Sequence, residues 1–138
     1  MADALGATLV QLDDAYPGWG GLADGRDAVI ETVLTRIADG LPGRYRAWDW
    51  GRDSAGEIIE VAPADVVVIE GCGVSTPLSR KLASTMVWVE CDESERRARL
   101  VDRDGHQFAD YAETWDAQVD AHIAQNDPIG TATVIVRT

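Results

Sequence analysis

The sequence predicts an α/β domain built on a parallel sheet, and three observations predict it. Short apolar runs rich in β-branched residues alternate with stretches of helical periodicity, the order that builds βαβ units. Two of these runs, residues 65–70 and 132–136, are apolar almost throughout, as strands buried on both faces should be. Finally, Asp13, Glu70 and Asp92 fall at the carboxyl ends of successive runs, the edge where open parallel sheets bind ligands.

Taken in order, residues 7–12 (Ala-Thr-Leu-Val-Gln-Leu) form the first expected strand. Val29, Ile30, Val33, Leu34 and Ile37 recur at helical spacing, and Gly40 with Pro42 supplies a stop. Residues 44–63 fit neither period. Tyr45, Trp48 and Trp50 sit there among several charges, and a loose hairpin or lid-like excursion is expected. The second strand, 65–70, ends at Glu70-Gly71, where glycine permits a sharp turn and the close approach of a ligand. The third strand, 86–91, leads to Asp92, a fitting N-cap for a helix from Glu93 to Arg103. Trp115, Val119 and Ile123 mark a more polar helix ending near Asn126-Asp127-Pro128, and residues 132–136 close the set.

The 138 residues suit a single domain, with no repeat, low-complexity tract or linker. A net charge of −12 argues against a nucleic-acid groove, because a phosphate polymer would be repelled. A small phosphorylated ligand stays compatible, since an arginine cluster or bound Mg²⁺ can reverse the potential inside a cleft. No apolar run reaches the roughly 18 residues a membrane helix needs, and the N-terminus lacks a basic region before an apolar stretch. Cys72 and Cys91 form no CxxC pair and are expected to be reduced, buried thiols of a cytoplasmic protein. His106 and His122 have no Cys or His partner at zinc-ligand spacing and are expected at exposed helix positions.

Carboxylates at such a sheet edge can bind Mg²⁺, directly or through water, or accept a proton from an attacking hydroxyl. They can equally cap the helices that follow. Capping is the expectation for Asp92, and chemistry is the expectation for Asp13 and Glu70.

The stretch Leu9-Val10-Gln11-Leu12-Asp13-Asp14-Ala15-Tyr16-Pro17 resembles the second strand, and the following Asp-x-x-Tyr segment, of uridine-kinase-like P-loop kinases. Val66-Val67-Val68-Ile69-Glu70-Gly71 looks like that family's Walker-B-type strand. Met86-Val87-Trp88-Val89-Glu90, followed by Arg96, Arg97, Arg99, Arg103 and Asp104, resembles the next strand and its arginine-bearing lid helix. Tyr45-Arg46-Ala47-Trp48-Asp49-Trp50 is similar to the acceptor-side excursion of bacterial members. The ordered set covers nearly the whole chain.

The resemblance implies a three-layer parallel sheet with flanking helices and phosphoryl transfer from ATP to a small-molecule hydroxyl. Such transfer depends on positioning and charge neutralisation. Asp13 would orient and deprotonate the acceptor, with Asp14 a less favoured substitute, and Glu70 would hold Mg²⁺ through water. Arg103, Arg96 and Arg99 are the candidates to neutralise the transferring group. Their alternative is a solvated helix face paired with Asp92, Glu93 and Glu95. Tyr16, Trp48, Asp49 and Trp50 would form the acceptor pocket. Uridine or cytidine is suggested as acceptor by the resemblance alone.

One defining feature of that family, GxxxxGK[ST], does not occur in the sequence. The single lysine, Lys81, has no glycine-rich loop before it, and Gly18-Trp19-Gly20-Gly21 lacks the lysine and the hydroxyl residue. The chain is therefore expected to begin just after the phosphate-binding loop, so that it would not itself bind ATP. By the same resemblance, the fold lacks its first, central strand, which lies between the strands matched by 65–70 and 86–91. Such a sheet would have open edges prone to self-association. The expectation is thus an ATP- and Mg²⁺-dependent nucleoside-type kinase when complete. The alternative is a non-catalytic remnant or interaction module of the same fold. A metal-dependent hydrolase is a weaker third reading, for which neither a further acid cluster nor a nucleophile is present.

Overall fold

The computed structural model describes residue 4 and residues 6–138, apart from the side chains of 106–108, so the expectation for His106 lies outside it. Strand β1 (Thr8–Gln11) runs into a single 3₁₀ turn at Leu12–Asp14. Helix α1 (Leu22–Val29) continues through a π-turn (Ile30–Leu34) into α2 (Thr35–Ala38), which stops at Gly40 as the sequence implies. A hairpin follows, β2 (Gly43–Asp49) with β3 (Ser54–Val61), antiparallel and broken by an irregularity between Arg46 and Trp48. This is the loose excursion expected over 44–63.

Strand β4 (Val67–Glu70) pairs in parallel with β1, so that Gln11 and Glu70 end side by side. Helix α3 (Pro77–Leu82) was not legible as a periodic run. It is set by a capping box in which Thr76 and Ser79 satisfy each other's backbone N–H groups, with proline in the first turn. Strand β5 (Val87–Glu90) pairs in parallel with β6 (Val134–Arg137). Between them lies α4 (Glu93–Asn126), capped by Asp92 through Ser94 N–H as expected. The cap's hydrogen bonds from the Ser94 side chain and backbone hold the Asp92 carboxyl below its usual range.

Two helices were expected within the α4 span, and Gly105 divides it in the expected place, with φ 61° and ψ −140°. Arg97 Nη2 lies 3.2 Å from Asp116 Oδ2, although a straight helix would separate residues 19 apart by about 28 Å. The two arms therefore fold back on one another around Gly105. No helix among the described residues is long and apolar enough to cross a membrane.

The sheet departs from the expected continuous layer. Among the described residues there are three two-stranded sheets, β1–β4, β2–β3 and β5–β6, and no ladder joins β4 to β5. The core is Val10, Leu12, Ala15, Tyr16, Leu22, Val29, Val33, Tyr45 and Val61, drawn from β1 and the turn after it, the α1–π segment and the hairpin. Residues 67–69 of β4 are only half-buried, and Val134 and Ile135 of β6 are 44% and 45% exposed. The expectation that both apolar strands are buried on both faces is therefore corrected. A two-stranded sheet with a free edge has no neighbour to cover it. Cys72 and Cys91 are free thiols, but exposed and half-buried respectively rather than buried. His122 is buried at 5% exposure, not exposed, because its ring meets Arg26 of α1 and Asn126 one turn along its own helix.

Candidate functional site

The edge where β1 and β4 end side by side gathers most of the residues singled out in the sequence. Gln11 Nε2 donates to Glu70 Oε1 at 2.9 Å, tying the two strand ends together. The 3₁₀ turn then swings Leu12 into the core and leaves Asp13 and Asp14 outside it. The Asp13 side chain is about half exposed, at 52%. Its carboxyl is nonetheless raised above the ordinary value. Partial burial is the largest cause, and Glu70, Asp104 and Asp14 add to it against the opposing charge of Arg103.

Gly71 follows Glu70 with φ 142°, and a Cβ there would sit 2.6 Å from Leu12 Cβ and 2.9 Å from the Tyr16 hydroxyl. The Glu-Gly pair is thus fixed by close packing as much as by the turn. Tyr16 is 1% exposed, and its hydroxyl donates to the Cys72 carbonyl at 2.7 Å. Burial, with the neighbouring Cys72, Asp13 and Glu70, drives its pKa far above that of an ordinary phenol, so it is a permanent neutral donor. It anchors the segment after β4 to the turn after β1.

The lid arginines separate sharply. Arg103 Nη1 reaches to 3.7 Å from Asp13 Oδ2 while its Nε and Nη2 grip Asp104, each at 2.8 Å. Arg96 stays on its own hairpin, 3.7 Å from Asp116, and Arg99 pairs with Glu95 one turn away. Of the three candidates, only Arg103 is brought to Asp13. The fold-back at Gly105 explains this, since it carries the end of the first arm over the β1 edge.

The hairpin closes another side. Trp50 Nε1 donates to the Asp13 carbonyl at 2.9 Å. Trp48 packs toward Gly18, and its Nε1 is buried with no acceptor among the described residues. Asp49 is occupied within the hairpin turn, accepting from Arg52 N–H at 3.0 Å.

Tyr16 and Trp50, expected at the pocket, belong to a wider aromatic group centred on Trp19, which local spacing did not mark. Trp19 stacks on Tyr111, with centroids 5.4 Å apart and planes 8° from parallel. It also meets Trp50 and Trp115 edge-on at 5.2 and 6.2 Å, and Trp115 meets Tyr16 at 5.0 Å. Gln118 of the second α4 arm fastens this group by donating to the Trp19 carbonyl at 2.7 Å and accepting from Leu22 N–H at 3.2 Å. Residues some ninety positions apart meet here, and no local spacing reports such a meeting. The one available signal was a tryptophan inside a glycine-rich turn at Gly18-Trp19-Gly20-Gly21.

Chemically, the site is an acidic edge with one guanidinium and an aromatic wall. Asp13 and Glu70 are of the donor type that holds hydrated Mg²⁺, which commonly takes one or two carboxylates and several waters. Among the described residues, no three His, Cys, Asp or Glu side chains converge as a closed protein cage. The sequence has no glycine-rich loop followed by a lysine, the arrangement that cradles nucleotide phosphates.

The paired parallel strands, the helices between them and the folded-back helical arm make a mixed α/β fold. A solved structure described as a possible uridine kinase from Bacillus stearothermophilus is similar over 98% of this chain and 77% of that chain, with a TM-score of 0.65 and 15% identity. At that identity the likeness speaks for the fold. No family model and no curated protein matches the sequence.

Proposed function

We propose that the chain is the acceptor-binding and lid portion of an ATP-dependent kinase acting on a small, nucleoside-like alcohol, completed by a phosphate-binding segment that this sequence does not contain. The observation that carries this reading is the convergence on Asp13. Its carboxyl has a raised pKa, stands beside Glu70 on the adjacent strand end, and is approached by Arg103 from the folded-back arm. A carboxylate whose pKa is moved toward the working pH is a better general base, an effect usually worth 10²–10⁴ in rate. In this scheme the acceptor hydroxyl gives its proton to Asp13, Trp48 and Trp50 bound the acceptor, and Arg103 stabilises negative charge. Glu70 would hold Mg²⁺ through water. The donor phosphates are the task of that phosphate-binding segment.

The break between β4 and β5 supports the same reading, since it falls where the resemblance places an additional strand. It equally favours a second reading, a non-catalytic module that uses its open edges to self-associate or bind another chain.

The test is phosphoryl transfer by the polypeptide extended upstream, assayed against a nucleoside panel with and without Asp13→Asn. The expected result is transfer that falls by about 100-fold or more in the variant while ATP binding persists. Near-normal turnover in the variant would remove Asp13 from the role of base. The 138-residue chain alone is expected not to bind Mg·ATP in isothermal titration, and micromolar binding would contradict the proposal of a separate phosphate-binding segment.

A further inference from the structure

A groove of about 700 Å³ opens between the α1–π–α2 segment and the outer face of β2 and β3. Three of its lining residues are arginines: Arg36, Arg44 and Arg46. Of the twelve basic side chains, only Arg36, Arg44, Arg46, Arg80 and Lys81 have no carboxylate within ion-pair distance among the described residues. Three of those five therefore share one groove in a protein of net charge −12.

The arginines are held in place without being neutralised. Arg36 Nε donates to the Pro42 carbonyl and Arg46 Nη1 to the Gly56 carbonyl, each at 2.9 Å, and their remaining N–H groups meet no partner among the described residues. Arg44 makes no side-chain hydrogen bond or ion pair among the described residues, although Glu60 lies directly across the ladder from it. The backbone beneath is closely packed. The Thr32 hydroxyl, in the π-turn, lies 2.7 Å from the Ala28 carbonyl and 2.6 Å from that of Arg44. A Cβ on Gly43 would fall 2.6 Å from Val33 Cα, so the strand lies directly on the turn. π-turns of this kind recur at functional sites.

Glu31 and Glu60 also line the groove, against the three guanidinium groups. A bare anion would meet mixed charge. A ligand that offers an anionic group to the arginines and hydroxyl or amino donors to the carboxylates would satisfy both. Ile58, 45% exposed in the same groove, adds an apolar surface for the ligand's body. The volume lies within the 300–1,000 Å³ usual for small-molecule sites.

We propose that this groove binds a small phosphate ester carrying hydroxyl groups, through Arg36, Arg44 and Arg46 on the phosphate and Glu31 and Glu60 on the hydroxyls. A nucleoside monophosphate and a sugar phosphate share this chemistry. The site is separate from the Asp13 edge and needs no phosphate loop, so it stands or falls independently of the kinase reading.

The experiment is calorimetric titration of the folded 138-residue chain with UMP, glucose 6-phosphate and inorganic phosphate, repeated with Arg44→Gln, Arg36→Gln and Asp13→Asn. At least one ester is expected to bind with a Kd below about 1 mM, and inorganic phosphate about tenfold or more weaker. Arg44→Gln and Arg36→Gln should each weaken the ester about tenfold, with far-UV circular dichroism unchanged, and Asp13→Asn should leave it unaffected. Which ester binds identifies the source. The proposal is overturned if neither ester binds by about 1 mM, if inorganic phosphate binds as tightly, or if binding ignores the arginine variants and follows Asp13 instead.

Discussion

The half of the molecule built from β1, the α1–π–α2 segment and the hairpin differs from the half built from β5, β6 and the first arm of α4. In the first, Leu12, Val29 and Val33 have no exposed surface at all and Tyr16 has 1%. In the second, residues 83–105 and 129–138 contribute no buried residue, and Val89 is 59% exposed. Yet β5 and β6 carry the more uniformly apolar sequence. An apolar strand is buried only if something covers it, and a two-stranded ladder held by hydrogen bonds alone is marginal in water. The comparison teaches that the first half folds around its own core, while the second has the composition of a buried strand pair without the cover.

The comparison breaks most readily in the core. Leu12→Ala should cost about 2–5 kcal/mol in denaturant unfolding, whereas Val89→Ala should change stability by no more than about 0.5 kcal/mol. A comparable loss at Val89 would mean that β5 is covered in solution. In a version of the protein that carries an upstream strand, that is the expected change.

Gly71→Ala should cost about 1–3 kcal/mol, because the new Cβ meets Leu12 and the Tyr16 hydroxyl at a backbone angle that side chains resist. Thermal unfolding checks it. A neutral outcome would show that the close packing of the strand-end turn is loose in solution.

The smallest effect concerns His122, where the second α4 arm meets the first half. Burial, then the charges of Arg26 and Arg80, lowers its pKa from 6.5, and Asn126 faces its ring. A base whose folded pKa is depressed supports the fold fully above its unfolded value. That contribution is lost as pH falls below about 6.5 through the folded value. The unfolding midpoint should therefore drop modestly between pH 7 and 5, and His122→Gln should flatten that slope. An unchanged slope would place the pH sensitivity elsewhere, with the Asp13 cluster the next group to test.

Much of the site was legible because its parts are short and local. Asp13, Glu70-Gly71 and the Asp92 cap each sit at a strand end that the sequence marks by itself. The choice among the arginines was not legible. Arg96, Arg99 and Arg103 look alike along the chain, and only the reversal at Gly105 decides which one meets Asp13. The wall around Trp19 and the burial of His122 were invisible for a related reason, since each depends on partners 92 to 96 positions away.

By itself, the sequence determined the alternation of strands and helices, the acids at the strand ends, the hairpin and the helix stops. These follow from periodicity, capping and backbone restriction, which act over a few residues. Only the tertiary structure decided that the strands form separate pairs, which faces remain uncovered, and that the unpaired arginines of the hairpin share one groove with Arg36. Burial and electrostatic partnership are properties of whatever lies across the gap, and the chain specifies that neighbour only once it has folded.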